Sequence, residues 1–329
     1  MLLVFVNLLS IGCLIWSLRD ARLGDFKDDL LTLDWKWVAL AVVADLCVYL
    51  LYAARWRLVL RPVSRIGLWQ AVRAVFVGLF GNELLPFKVG ELLRCFLLTR
   101  RTNLPFSVSL SSVLIERIFD GVWLFLCVFL TLHFVHFPRH FGYLIDGAWI
   151  LGAMVLGGAL VLAVAMFRHR GITPAPPRTG WRRHWDILLE DLALIGHSRY
   201  LYFAFLQSLP ALLLQVIPVW AAFKGYLFDL TIFDAFALAI ILRLIAVIPQ
   251  APANIGLFQL LTREVLIRIF DVLPADASRF SVVLWGIITL PLIIGGLVAV
   301  WVEEADVIEL HRAAHGHAAA LKAQRHVRR

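Results

Sequence analysis

Charge is what this sequence has least of. Only 16% of its 329 residues are Asp, Glu, Lys or Arg, while 61% are hydrophobic. Soluble domains carry about 25% charged residues and at most about half apolar ones. The shortage excludes a soluble globular domain, and the apolar excess excludes a disordered chain. Cysteine is scarce as well. Cys13, Cys47, Cys95 and Cys127 lie in or beside apolar segments without CxxC spacing. That excludes a disulfide framework and a thiolate metal site, and they read as small buried apolar side chains. A nucleotide-binding loop is missing, and so is an Asp-x-Asp in any long loop.

What the chain does have is apolar runs of about 17 to 25 residues, the length of a membrane-crossing helix. The composition therefore reads as an all-α polytopic membrane protein with room for six to eight membrane segments. The net charge of +8 comes from 31 Lys and Arg against 23 Asp and Glu. In a soluble protein that excess would point to nucleic acid. Here the basic residues fall in short loops between spans, so the membrane accounts for them and nucleic acid is not an expected partner.

Leu2 to Leu18 is the first run. It has no basic n-region and no small-residue cleavage site, so it reads as a span. Phe26, Leu30, Leu33 and Trp37 then fall on one helical face, the pattern of an interfacial helix. Val38 to Ala54 is the next span, followed by a basic loop with Arg55, Arg57, Arg61 and Arg65. Ile66 to Phe80 is broken by residues 81–90 and resumes over Glu91 to Thr99. Val108 to Phe134 is a further span. The second half follows the same order. Trp149 to Phe167 is a span, and Trp181, Trp185, Leu188, Leu189, Leu192 and Ile195 mark a second interfacial helix. Leu201 to Phe223 spans. Ile232 to Ile248 breaks at residues 249–256 and resumes over Leu257 to Phe270, and Phe280 to Val302 is the last span. Both breaks hold an Asn and a Pro-x-x-x-Gly, Pro86 with Gly90 and Pro252 with Gly256. Five elements in shared order indicate an internal repeat.

The basic residues favour one topology. If both broken segments cross the membrane, the two sides hold 11 and 13 Lys and Arg. If both turn back, the sides hold 17 and 7. The positive-inside rule selects the second arrangement. Each half then has three full spans and one re-entrant broken helix, and the halves form an inverted repeat. The expected domains are a first membrane repeat over 1–146, with its re-entrant segment at 66–99, and a second over 147–302, with its re-entrant segment at 232–270. A basic cytoplasmic tail over 303–329 completes the chain. The setting is expected to be a bacterial cytoplasmic (inner) membrane. Re-entrant segments from opposite sides can meet near the midplane, as in secondary transporters.

Eleven ionisable residues lie inside apolar runs or their breaks: Asp45, Glu83, Lys88, Glu91, Arg94, Glu116, Arg117, Asp120, Arg243, Arg263 and Glu264. Facing lipid they would cost on the order of 30 kcal/mol at roughly 2.5–3.5 kcal/mol each. They must pair or line a polar cavity. Lys88, Arg94, Arg117 and Arg243 offer positive charge to a phosphate, and the helix starts after Gly90 and Gly256 add free N–H groups. The competing reading is a set of structural ion pairs. His133, His136 and His140, and His311, His315 and His317, lack an acidic or Cys partner at ligand spacing and read as solvated. No metal and no cofactor is expected.

Asn82-Glu83-Leu84-Leu85-Pro86-Phe87-Lys88-Val89-Gly90-Glu91-Leu92-Leu93-Arg94, followed by Glu116-Arg117-x-x-Asp120, resembles the transmembrane region of the lysylphosphatidylglycerol synthetase family, also called flippase-like. The second break, with Pro252, Asn254, Gly256 and Gln259, resembles that family's second motif. Lys88 stands where the family usually has Arg, which keeps the charge but loses the bidentate fork. Ala253-Asn254 replaces Gly-Gly, and Gln259 replaces Glu. The resemblance implies lipid translocation rather than lipid synthesis, hence a transporter and not an enzyme. Its substrate would be a phospholipid, aminoacyl-lipid, hopanoid or polyprenyl-linked lipid. The residues expected to bind it are Asn82, Glu83, Pro86, Lys88, Gly90, Glu91, Arg94, Glu116, Arg117, Asp120, Arg243, Pro252, Asn254, Gly256 and Gln259, with Arg94 on the phosphate and Glu91 beside it. A second copy of the chain or a separate lipid-modifying enzyme is the expected protein partner. The alternatives are a polytopic glycosyltransferase acting on a lipid phosphate and an accessory protein of envelope lipid biosynthesis.

Overall fold

The computed structural model describes residues 2–21, 24–85, 89–102, 104–134, 147, 149–150, 152–153, 155–160, 190–192, 194–196, 198–246 and 251–327. Among these residues all regular structure is helical. In chain order the main helices are α1 (Leu2–Leu18), α2 (Phe26–Thr32), α3 (Trp35–Leu60), α4 (Leu68–Leu84), α5 (Gly90–Arg101) and α6 (Phe106–Phe134). There follow α7 (Arg199–Leu214), α8 (Val216–Gly225), α9 (Ile232–Ile245), α10 (Leu257–Phe270) and α11 (Pro274–Val327). Three stretches of the described residues are long and apolar enough to cross a membrane: Trp35–Leu60, Arg199–Gly225 and Pro274–Glu304. The last apolar run is thus the membrane part of a 54-residue helix that continues through the polar end of the chain.

Local chemistry sets the boundaries. Asp34 starts α3 by accepting a hydrogen bond from the Lys36 backbone N–H at 3.0 Å. That cap ends the expected interfacial helix early: α2 stops at Thr32 and Trp37 belongs to α3. Phe26, Leu30, Leu33 and Trp37 pack together against α8, α9 and α11 around Phe223, so this face lies on protein. Of the second interfacial pattern, Leu192 and Ile195 are buried in the cluster around Trp56 and Leu60. Trp181, Trp185, Leu188 and Leu189 lie outside the described residues. Thr231 and Asp234 form a reciprocal cap at the start of α9. The run 201–223 is divided at Gln215 into α7 and α8. Pro218 has no N–H for the Leu214 carbonyl, which is the reason for a break there.

α4 and α5 form a hairpin of 17 and 12 residues, about 25 and 18 Å long. They touch through glycines. A Cβ on Gly90 would meet the Gly78 carbonyl oxygen at 1.9 Å and the Asn82 nitrogen at 2.4 Å. α9 and α10, 14 residues each, flank the second break. It holds a 3-10 turn, Pro252–Asn254, and left-handed backbone at Ala253 (φ 57°) and Asn254 (φ 54°). Gly256 has φ 94°, and a Cβ there would lie 2.0 Å from the Ser10 carbonyl oxygen, in the middle of α1.

Ion pairs tie the ends of the helices. Glu303 of α11 receives Arg101 from the end of α5 at 2.7 Å and Arg73 from the start of α4 at 3.6 Å. At the opposite end of α3, Arg279 of α11 pairs with Asp29 of α2 and with Asp276. Arg263 of α10 pairs there with Asp20 and Glu264. Tyr226 donates to Asp29 in the same cluster. Burial, then the bond to the Asp29 carboxylate, pushes its phenol above the ordinary range, and Arg279 opposes the shift.

Candidate functional site

A cavity of about 530 Å³ lies between α3, α4, α6, α9 and the second break. One face of α3 supplies Asp45, Tyr49, Tyr52 and Arg55, at intervals of four, three and three residues, close to one helical stripe. From α4 come Asn82 and Glu83, from α5 Arg94, and from α6 Glu116, Arg117 and Asp120. Arg243 of α9, Gln215 and Asn254 complete the polar lining, and Val48, Leu79, Leu124, Phe258 and Ile288 are among the apolar residues interspersed with it.

Glu116 is the hub of the buried charge. It is 2% exposed, accepts Arg55 Nε at 3.2 Å and accepts Arg94 at 2.7 Å. Arg55 reaches further, with a fork to Asp120 and a bond to Ser208 Oγ at 3.0 Å. The Arg94 guanidinium also sits over the Trp56 ring, 4.9 Å from its centre. Trp56 in turn donates to Ser112 at 2.9 Å. Each of these groups was placed by helix spacing: Glu116 and Asp120 share a face at i, i+4, and Ser112 is one turn before them. Burying such charges is tolerable because every carboxylate in this group has an arginine partner.

The other two cavity arginines are held more loosely. Arg117 pairs with Glu91 yet stays half-exposed. Arg243 donates to the Tyr52 hydroxyl at 2.8 Å and to Gln215, and Asp120 lies 4.0 Å away. The two breaks meet through a side-chain contact. Asn254 Nδ2 donates to both carboxylate oxygens of Glu83, each at 3.0 Å. Trp285 of α11 supports that corner by donating to the Ala253 carbonyl at 2.8 Å.

Of the expected substrate-binding residues, Asn82, Glu83, Arg94, Glu116, Arg117, Asp120, Arg243 and Asn254 line the cavity. Glu91 reaches it through Arg117. Gly90 and Gly256 are packed against neighbouring backbone, and Gln259 is buried, accepting the Gly256 N–H at 2.7 Å. Those three shape the breaks. Pro252 is exposed, and Pro86 and Lys88 lie outside the described residues. Sequence reasoning missed Arg55, Tyr49, Tyr52, Ser208 and Gln215. Arg55 was counted with the basic loop, but it is 3% exposed inside α3. The signal was present in the polar stripe 45, 49, 52, 55. Cys95 and Cys127 are buried as expected, while Cys47 is exposed. Among the described residues no group of His, Cys, Asp and Glu could hold a metal ion. His133 falls within α6, and His136 and His140 lie outside the described residues.

Span-length apolar helices around a buried charged cavity define a multi-pass helical membrane protein. The family model for the lysylphosphatidylglycerol synthase TM region matches residues 3–296, and the chain belongs to that family. Similar proteins include UPF0104 membrane proteins of two archaea. One from Methanothermobacter thermautotrophicus is 22% identical over 284 residues, covering 78% of this chain and 81% of that protein. One from Methanocaldococcus jannaschii is 27% identical over 104 residues, and the match spans 30% of this chain and 31% of that relative's length. No solved structure matches.

Proposed function

We propose that this protein moves a phosphate-bearing lipid between the leaflets of a cytoplasmic membrane, the head group passing through the cavity while the acyl or polyprenyl chains stay in the bilayer. The observation that carries this reading is the cavity itself, whose lining mixes charged and polar groups with apolar ones and includes residues of both helix breaks. An amphiphile matches such a lining. Arg55 and Arg94 are committed to Glu116 and Asp120, so the phosphate falls to Arg117 and Arg243, whose carboxylate contacts are exposed or long. Guanidinium groups suit phosphate oxygens by charge and by their planar fork.

The re-entrant inverted repeat fits this function. α4, α5, α9 and α10 are each shorter than the roughly 20 residues needed to span. The two ends of the first hairpin share Glu303, the two breaks touch through Glu83 and Asn254, and Gly256 abuts the middle of α1. Irregular backbone at such depth is tolerated where protein buries it or water reaches it. Phospholipids, aminoacylated phospholipids and polyprenyl phosphates carry the required phosphate, which a hopanoid lacks, and a separate lipid-modifying enzyme would supply a modified substrate.

The test is reconstitution into vesicles with a panel of head-group-labelled lipids. Wild-type protein should move at least one across the bilayer, and Arg243→Gln should slow that movement at least tenfold with an unchanged melting temperature. Product formation only on adding a sugar nucleotide would instead make it a glycosyltransferase. Full activity of an Arg117→Gln, Arg243→Gln double variant would remove the phosphate role.

A further inference from the structure

Asp45 stands apart from the other carboxylates of the cavity. It lies near the middle of α3, is 5% exposed, and forms part of the cavity wall. Its Oδ2 is fully buried and has no hydrogen-bond partner, and Asp45 makes no ion pair among the described residues. Among the described residues its hydrogen-bonding neighbour is the Tyr49 hydroxyl, one turn along the same helix. The elements packed on α3 bring other charged groups to the cavity. α4 presents Glu83, already bonded by Asn254. α5 and α6 present Arg94, Glu116, Arg117 and Asp120, which pair with Arg55, Glu91 or one another. α9 presents Arg243, held at Tyr52 two turns further along α3. α7, α8, α10 and α11 present only uncharged groups to the lining.

A carboxylate anion without a cation or a full set of donors is costly at membrane depth. The acid form removes that cost, and an intramembrane carboxyl of this kind marks a proton path. We infer that Asp45 is a proton-binding site that couples lipid movement to a proton gradient. This inference rests on the lipid-translocation reading. The step is an ionisation alone: Asp45 carboxyl releases a proton to water and leaves a carboxylate, and the reverse reloads it. An anionic phosphate entering the cavity disfavours a second negative charge there. Lipid and proton therefore enter together and leave together.

Two measurements test this. Infrared spectroscopy of the protein in nanodiscs should show the C=O band of a protonated carboxylic acid, lost when the pH is raised and absent in Asp45→Asn. In vesicles, an imposed pH gradient should change the lipid transport rate severalfold for wild type and not for Asp45→Asn. A wild type without that band overturns the proton site. Transport indifferent to the gradient, with the band present, overturns the coupling. Absence of lipid movement under every condition removes the function proposed above and the coupling with it, and the band then still reports whether the proton site exists.

Discussion

Glu116 is held by two guanidinium groups and Asp120 by the fork of one of them, so the members of this network are not equivalent. Removing Arg55 leaves Asp120 with only the 4.0 Å contact to Arg243 and Glu116 with Arg94 alone, in a buried site. Such a loss costs about 3–5 kcal/mol. Removing Arg94 leaves Glu116 with Arg55, so the cost should stay nearer the roughly 1–3 kcal/mol of a lost charged hydrogen bond. Arg55→Ala should therefore melt well below Arg94→Ala in the same detergent. Equal melting temperatures would mean that Asp120 does not depend on Arg55. Arg55→Lys should recover only part of the loss, because an ammonium cannot reach Glu116, Asp120 and Ser208 at once as a fork does. The sequence places Arg94 on the phosphate, and its 8% exposure against Trp56 and Glu116 gives it a structural role as well.

At the scale of elements, both helix breaks depend on glycines, one of them for two reasons. Gly90 is needed for close approach of α5 to α4, and Gly256 for a positive φ as well as for contact with α1. Gly90→Ala should wedge the hairpin open at a cost of about 1–3 kcal/mol. Gly256→Ala should cost more, since it adds backbone strain of order 1–3 kcal/mol to its clash. Thermal unfolding of both variants checks the order. The breaks, the flanking helices and most of the buried charges were legible in the sequence because apolar runs and their interruptions are one-dimensional signals. The end of α2 was not, because Asp34 as a cap competes with an unbroken apolar stripe and wins. Arg55 was not, because a basic cluster at the end of a span reads as a loop until the stripe through Asp45, Tyr49 and Tyr52 is extended by one turn. The division at Gln215 had its cause in Pro218, yet the apolar run passes through it without a change in hydropathy.

At the scale of the whole molecule, the proposed inverted repeat makes a prediction about sides. Thr102 ends the first hairpin beside Glu303, and Leu273 follows α10 beside the Arg279 cluster. In a background without the four native cysteines, Thr102→Cys should react with an impermeant thiol reagent from the cytoplasm and Leu273→Cys from outside. Reaction of both from one side would refute the inverted arrangement. α11 joins the two ends. Arg279 anchors it to α2 near its start, and Glu303 anchors it to the first hairpin about 36 Å further on, at 1.5 Å per residue. Pro291 interrupts the hydrogen bonding of this helix between Ile288 and Leu292, both of which touch the cavity. A proline there withholds a donor from the turn before it and gives the helix a place to bend. α11 is then a shaft carried on two bearings, pinned at Arg279 and at Glu303, with its least supported turn at the level of the cavity.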